Sequence, residues 1–132
     1  MRYLLETNIA SDMIRNPQGR PARRHRVLGR ASASVSIVVA AELRFGARKK
    51  SDADLTARIE EFLNTVDVIP FDSPADDFYA LVRADLERRG LGISANDMFI
   101  AAHALALDRI LVTDNERDFS RVESLAIENW LR

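Results

Sequence analysis

The sequence predicts an α/β domain, a single unit with a central, mainly parallel sheet of four to five strands flanked by helices. Three observations predict it. Short apolar runs rich in β-branched residues alternate along the chain with longer stretches of helical spacing, the order that builds parallel strands joined by helices. The length, 132 residues without an internal repeat or linker, is that of one domain able to bury its own core. The stretch from Gly92 to Leu107 is apolar almost all the way round beyond Asp97, and a helix without a polar face belongs in an interior.

The elements follow in order. Arg2 to Leu5 reads as a first strand with Glu6 at its carboxyl end, and Thr7 and Asn8 can cap a short helix carrying Ile9, Met13 and Ile14. Asn16-Pro17-Gln18-Gly19 is a turn, after which Pro21 stands near the start of a basic helix reaching about Arg30. Ser34 to Val39 is a second strand that passes into a helix over Val39 to Lys49, with Glu42 in its first turns. Asp52 to Val66 is amphipathic, with Leu55, Ile59, Phe62, Leu63 and Val66 on one face, and Asp67 to Pro70 is a third short strand. Ser73-Pro74 opens another helix with Pro at its first position, which continues through Phe78, Leu81, Val82 and Leu86 to about Gly90. Ser94 caps the central helix, with Asp97 three residues on in a near capping box. Arg109 to Thr113 is a fourth strand, Leu125 to Glu128 a fifth, and Trp130 packs against the body.

Composition narrows the function. With 47% hydrophobic and 30% charged residues the chain reads as an ordinary soluble protein. There is no cysteine, hence no disulfide, thiolate zinc site or cysteine nucleophile. The start lacks a signal peptide and no apolar run is long enough to span a membrane, so a cytoplasmic location with no membrane role is the expectation. The net charge of −1 hides an asymmetry: between Met13 and Ala41 there are no acids, but Arg15, Arg20, Arg23, Arg24, His25, Arg26 and Arg30. Such a block is either a solvated helix face or a surface for a nucleic-acid backbone or an acidic partner, and arginine suits phosphate best.

The acids carry the chemistry. Glu6, Glu42, Asp97, Asp114 and Asp118 each follow a predicted strand or open a helix from the same edge of the sheet, where open α/β sheets bind their ligands. A bare capping role is the alternative for Asp97. Carboxylates gathered in one cleft repel one another unless a cation neutralises them. Oxygen ligands without cysteine or a histidine pair suit Mg²⁺ or Mn²⁺, which takes one or two carboxylates directly and holds waters with the rest. That is the apparatus for metal-assisted attack of water on a phosphodiester. Other chemistries find no support: no phosphate-binding glycine loop, no G-x-S-x-G, and no Asp-x-Asp after the first strand, where Glu6-Thr7-Asn8 stands. His103 lies in the apolar helix and reads as a core histidine, and His25 belongs to the basic block.

Four segments together resemble the motifs of PIN-domain ribonucleases, specifically the VapC-type toxins of bacterial toxin–antitoxin pairs. They are Tyr3 to Ile9, Ala41 to Ala47, Asn96 to Ala104 and Leu111 to Phe119, in order and at fitting spacing, with Val122 to Trp130 matching the usual tail. The resemblance covers essentially the whole chain. It implies a Mg²⁺- or Mn²⁺-dependent endoribonuclease that cuts structured RNA such as tRNA and is restrained by a small VapB-type antitoxin. It further implies a homodimer, and binding of operator DNA only through the antitoxin. Carried over, Glu6 and Asp97 take the main metal-ligand positions, Glu42 the third acidic position, and Thr113, Asn115 and Asp118 those of the fourth motif, leaving Asp114 between positions. Arg15, Arg23 and Arg24 are candidates for contact with RNA or antitoxin. One position departs from the pattern: the first motif normally carries Asp, and this chain has Glu6. The longer side chain means a retuned site or a weakened one, and in the second case a module that binds antitoxin and RNA without turnover.

Overall fold

A computed structural model describes all residues from Met1 to Arg132. Five parallel strands form one sheet in the order β3-β2-β1-β4-β5. Strand β1 (Tyr3–Leu5) leads into α1 (Thr7–Arg15) and α2 (Arg20–Leu28), then a 3₁₀ turn at Arg30–Ser32 and β2 (Ala33–Ser36). Helices α3 (Ile37–Lys50) and α4 (Ala53–Leu63) precede β3 (Asp67–Ile69); α5 (Ala75–Arg88) and α6 (Ala95–Leu107) precede β4 (Ile110–Val112). A short α7 (Glu116–Phe119) and β5 (Ile127–Glu128) complete the chain. Right-handed crossovers put α1 to α4 on one face of the sheet and α5 and α6 on the other. Covered on both faces, β1 and β2 are buried throughout, and even the alternating Ser34 and Ser36 of β2 are buried, bonded to Arg109 and His103.

The expected α/β class holds, and the differences lie at element ends. The second strand stops at Ser36 rather than running to Val39: the Ser36 hydroxyl accepts from the Val38 amide and caps α3, so Ile37 and Val38 begin a helix despite their β-branching. Pro74 is the N-cap of α5, after a cis Ser73–Pro74 peptide, rather than its first helical residue. Thr7 and Asn8 do not cap α1. Glu6 does, its carboxylate accepting from the Asn8 amide at 3.1 Å. Gly90, with φ of 68°, ends the α5 segment in the left-handed conformation that glycine adopts without steric cost. In α6, Ser94 caps as expected and Ile100 to Ala104 are buried, while the ends of the helix are partly open.

The core joins the sheet to both helical layers through Leu4, Leu5, Ile9, Val35, Val39, Ile100, Leu111 and Phe119. His103 is a core histidine: it is buried, shares a 2.8 Å hydrogen bond with Ser36, and lies edge-on to Phe71. Burial pushes its pKa down. Trp130 is buried edge-on to Tyr3, with the Arg24 guanidinium 5.2 Å from its ring centre. The four-residue α7 has too few internal hydrogen bonds to stand alone, and the fully buried Phe119 is its anchor. Phe119→Ala is expected to destabilise the protein by about 4 kcal/mol, measured by urea unfolding. No helix is long and apolar enough to cross a membrane.

Candidate active site

The strand order reverses direction between β1 and β4. From β1 the chain moves to β2 and β3 on one side, then crosses back to β4 on the other. Outside the carboxyl ends of such a pair the connections diverge and leave a crevice, the usual ligand position of an open α/β sheet. Glu6 and Thr113 are the first residues beyond these two strands. The Glu6 amide donates to the Val112 carbonyl at 2.9 Å, and the Thr113 hydroxyl donates to Glu6 Oε1 at 2.8 Å. Glu6 is therefore held by both oxygens, one by Thr113 and one by the Asn8 amide, and is only 4% exposed.

Three further carboxylates converge on it. Asp97 comes from the first turn of α6, Glu42 from the second turn of α3, and Asp118 from α7. Thr7 donates to Glu42 Oε1 at 2.8 Å. The Asn115 side chain donates to Asp118 Oδ2 at 3.1 Å, and its amide donates to the Thr113 hydroxyl at 2.9 Å. All six residues read from the sequence as site members thus meet at one edge. Asp114 does not: it is exposed and accepts from Asn129 at 2.9 Å.

The electrostatics identify a site lacking positive charge. Burial pushes the Glu6 carboxyl pKa up, and the neighbouring charges of Asp97 and Glu42 push the same way, against the two hydrogen bonds that lower it. Asp97 is also raised, first by burial and then by Glu42 and Asp118. The helix dipole favours an anion at the N-terminus by only about 0.3 to 1 kcal/mol at exposed sites, and here desolvation and repulsion outweigh it. None of the influences on either group is a basic side chain. Only Asp118 has a cation at hand, with Arg121 at 3.7 Å. The donor set, all carboxylate and hydroxyl oxygen, fits a hard divalent cation. No three acidic or histidine side chains are drawn close enough to enclose an ion directly, and the carboxylates of Glu6, Glu42 and Asp118 already accept hydrogen bonds within the chain. The fit is to a hydrated ion that takes one or two carboxylates.

Thr7 is the residue that sequence reasoning missed. It reads as a helix cap, and its contact to Glu42 spans 35 positions that no local pattern encodes. Of the basic candidates, Arg15 and Arg23 are exposed. Arg24 is engaged within the chain, between Trp130 and Glu128.

An open parallel sheet with an acidic crevice at its strand-order reversal and no phosphate loop is the arrangement of an α/β domain built to work with oxygen ligands. Residues 3–125 match the PIN domain family, and the chain belongs to it. Within that family it is of the VapC type. It is 33% identical to Ribonuclease VapC2 of Rickettsia felis, over 98% of both chains. It is 34% identical to the tRNA(fMet)-specific endonuclease VapC of Shigella flexneri, again over 98% of both. Among solved structures it matches VapBC2 from Rickettsia felis bound to a promoter DNA fragment with a TM-score of 0.92, covering 98% of this chain and 99% of that one.

Proposed function

We propose that this protein is the toxin of a type II toxin–antitoxin pair, a metal-dependent endoribonuclease that cleaves structured RNA, tRNA foremost. The observation that carries the reading is the convergence of Glu6, Glu42, Asp97 and Asp118, with no basic side chain acting on Glu6 or Asp97. Glu6 and Asp97 would hold Mg²⁺ or Mn²⁺. When bound, the ion lowers the pKa of a coordinated water and offsets charge on the phosphate. Around it, Glu42 and Asp118 orient waters and accept a proton, while Thr113 and Asn115 fix Glu6 and Asp118 in place. The relatives' names, ribonuclease and tRNA(fMet)-specific endonuclease, support the reaction class and the substrate. The DNA-bound VapBC complex supports a VapB-type antitoxin as partner, with operator DNA reached through it. A homodimer acting in the cytoplasm completes the reading.

A second reading has its own observation. Glu6 replaces the usual Asp, and both its oxygens already accept hydrogen bonds, so the site could bind RNA and antitoxin without turnover. Cleavage of a total tRNA pool with Mg²⁺ or Mn²⁺, and its loss in EDTA, decides between the two. Equal cleavage in EDTA overturns the metal mechanism itself. Arg15 and Arg23, the exposed candidates of the basic block, have a separate test. Changing both to alanine is expected to flatten the slope of log RNA affinity against log salt by about 1.4 to 1.8 if each contacts one phosphate; an unchanged slope removes them from the interface.

A further inference from the structure

Glu42 is held by a single side chain from another helix. It lies partly exposed on α3, and the hydrogen bond from Thr7 is the one its carboxylate accepts within the chain. The same side chains line a groove of about 190 Å³ between α1, α3 and α4, and Arg15 and Lys50 line it as well. Released from Thr7, a flexible glutamate has two cations along that groove to turn toward and away from Glu6 and Asp97. The Thr7 hydroxyl opposes this from the first turn of α1, one residue beyond Glu6, so its position is set by the same backbone that sets the first acid.

We propose that Thr7 is a positioning residue: its hydroxyl holds the Glu42 carboxylate against Glu6 and Asp97, in the orientation that a divalent cation and its waters require. This rests on the metal-dependent ribonuclease reading, and goes beyond it in giving a working role to a side chain that otherwise begins a helix. Threonine and valine have nearly the same shape, so Thr7→Val removes the donor and leaves the packing, whereas Thr7→Ser keeps the donor.

The test is a double-mutant cycle between Thr7 and Glu42, read as Mn²⁺ affinity by electron paramagnetic resonance and as kcat and KM on a tRNA pool. Thr7→Val is expected to weaken Mn²⁺ binding about tenfold and lower kcat about thirtyfold with KM unchanged, and Thr7→Ser to restore both. Because Thr7 acts through Glu42, Thr7→Val added to Glu42→Gln should cost little more than Glu42→Gln alone. Wild-type Mn²⁺ affinity in Thr7→Val, failure of serine to rescue, or full additivity in the cycle overturns the proposal while leaving the ribonuclease reading standing. A wild-type protein that binds Mn²⁺ without cutting RNA overturns the ribonuclease reading, and the affinity arm then judges Thr7 alone. No Mn²⁺ binding by the wild type overturns both.

Discussion

Asp97→Asn is expected to lower metal-dependent RNA cleavage about a thousandfold and at the same time to make the protein harder to unfold. The first effect follows from removing a full charge at a metal-ligand position while keeping the side chain's shape. Such charge stabilisation is worth several kcal/mol in the transition state, and about 4 kcal/mol corresponds to about a thousandfold in rate. The second follows from linkage. The Asp97 pKa is raised in the folded chain, so the folded state binds more protons than the unfolded one across that interval. Stability then falls as pH rises from the ordinary aspartate value through the raised one. Above the raised value the wild type bears the whole cost of an ionised, half-buried, repelled carboxylate, and the amide does not. Asp97→Asn is expected to melt about 3 °C higher at pH 7.5 and to show a flatter decline between pH 4 and 7.5. Equal melting temperatures at pH 7.5 would show that the neighbouring acids do not strain the native state.

The largest effect after that belongs to Glu6, and it separates charge from length. Glu6→Gln is expected to lower single-turnover cleavage about a hundredfold, a loss of about 2.7 kcal/mol. Glu6→Asp is expected to stay within about tenfold of the wild type. Glu6 is integrated into the surrounding structure: Thr113 donates to one oxygen and the Asn8 amide to the other, at 2.8 and 3.1 Å. A side chain held at both ends in a buried position belongs to a site built around that length. Aspartate is also a strong N-cap, so the shorter residue keeps the Asn8 contact while lengthening the one to Thr113. A gain of a hundredfold or more in Glu6→Asp would instead identify Glu6 as the residue that cripples the enzyme.

Much of this was legible in the sequence because it depends on local chemistry. Alternating apolar runs and helical spacings identify the α/β class, and the rule that ligands sit beyond strand carboxyl ends gathers Glu6, Glu42, Asp97 and Asp118 without coordinates, along with Asp114, which the structure leaves outside. Element ends were less legible. Val35 to Val39 is apolar apart from Ser36 and β-branched enough to suit a strand, and the Ser36 cap, with its hydroxyl also shared by His103, stops the strand where it stops. Helix α7 is four residues anchored by Phe119, and no periodicity can announce so short an element. Arg24 reads as free basic charge, yet Trp130 and Glu128, more than a hundred positions away, engage it. Thr7 escaped for the same reason. Its meaning lies in a residue from another helix.

The capping of α1 by Glu6 gives the site a built-in reporter. The Asn8 amide donates to a carboxylate of the acidic crevice instead of to a dedicated capping serine or threonine. Fraying of this one turn breaks the Asn8 contact and carries off the Thr7 contact to Glu42, so Glu42 is released and Glu6 keeps only its bond from Thr113, with the core intact. Hydrogen exchange at the Asn8 amide therefore measures how much of the time the crevice is assembled.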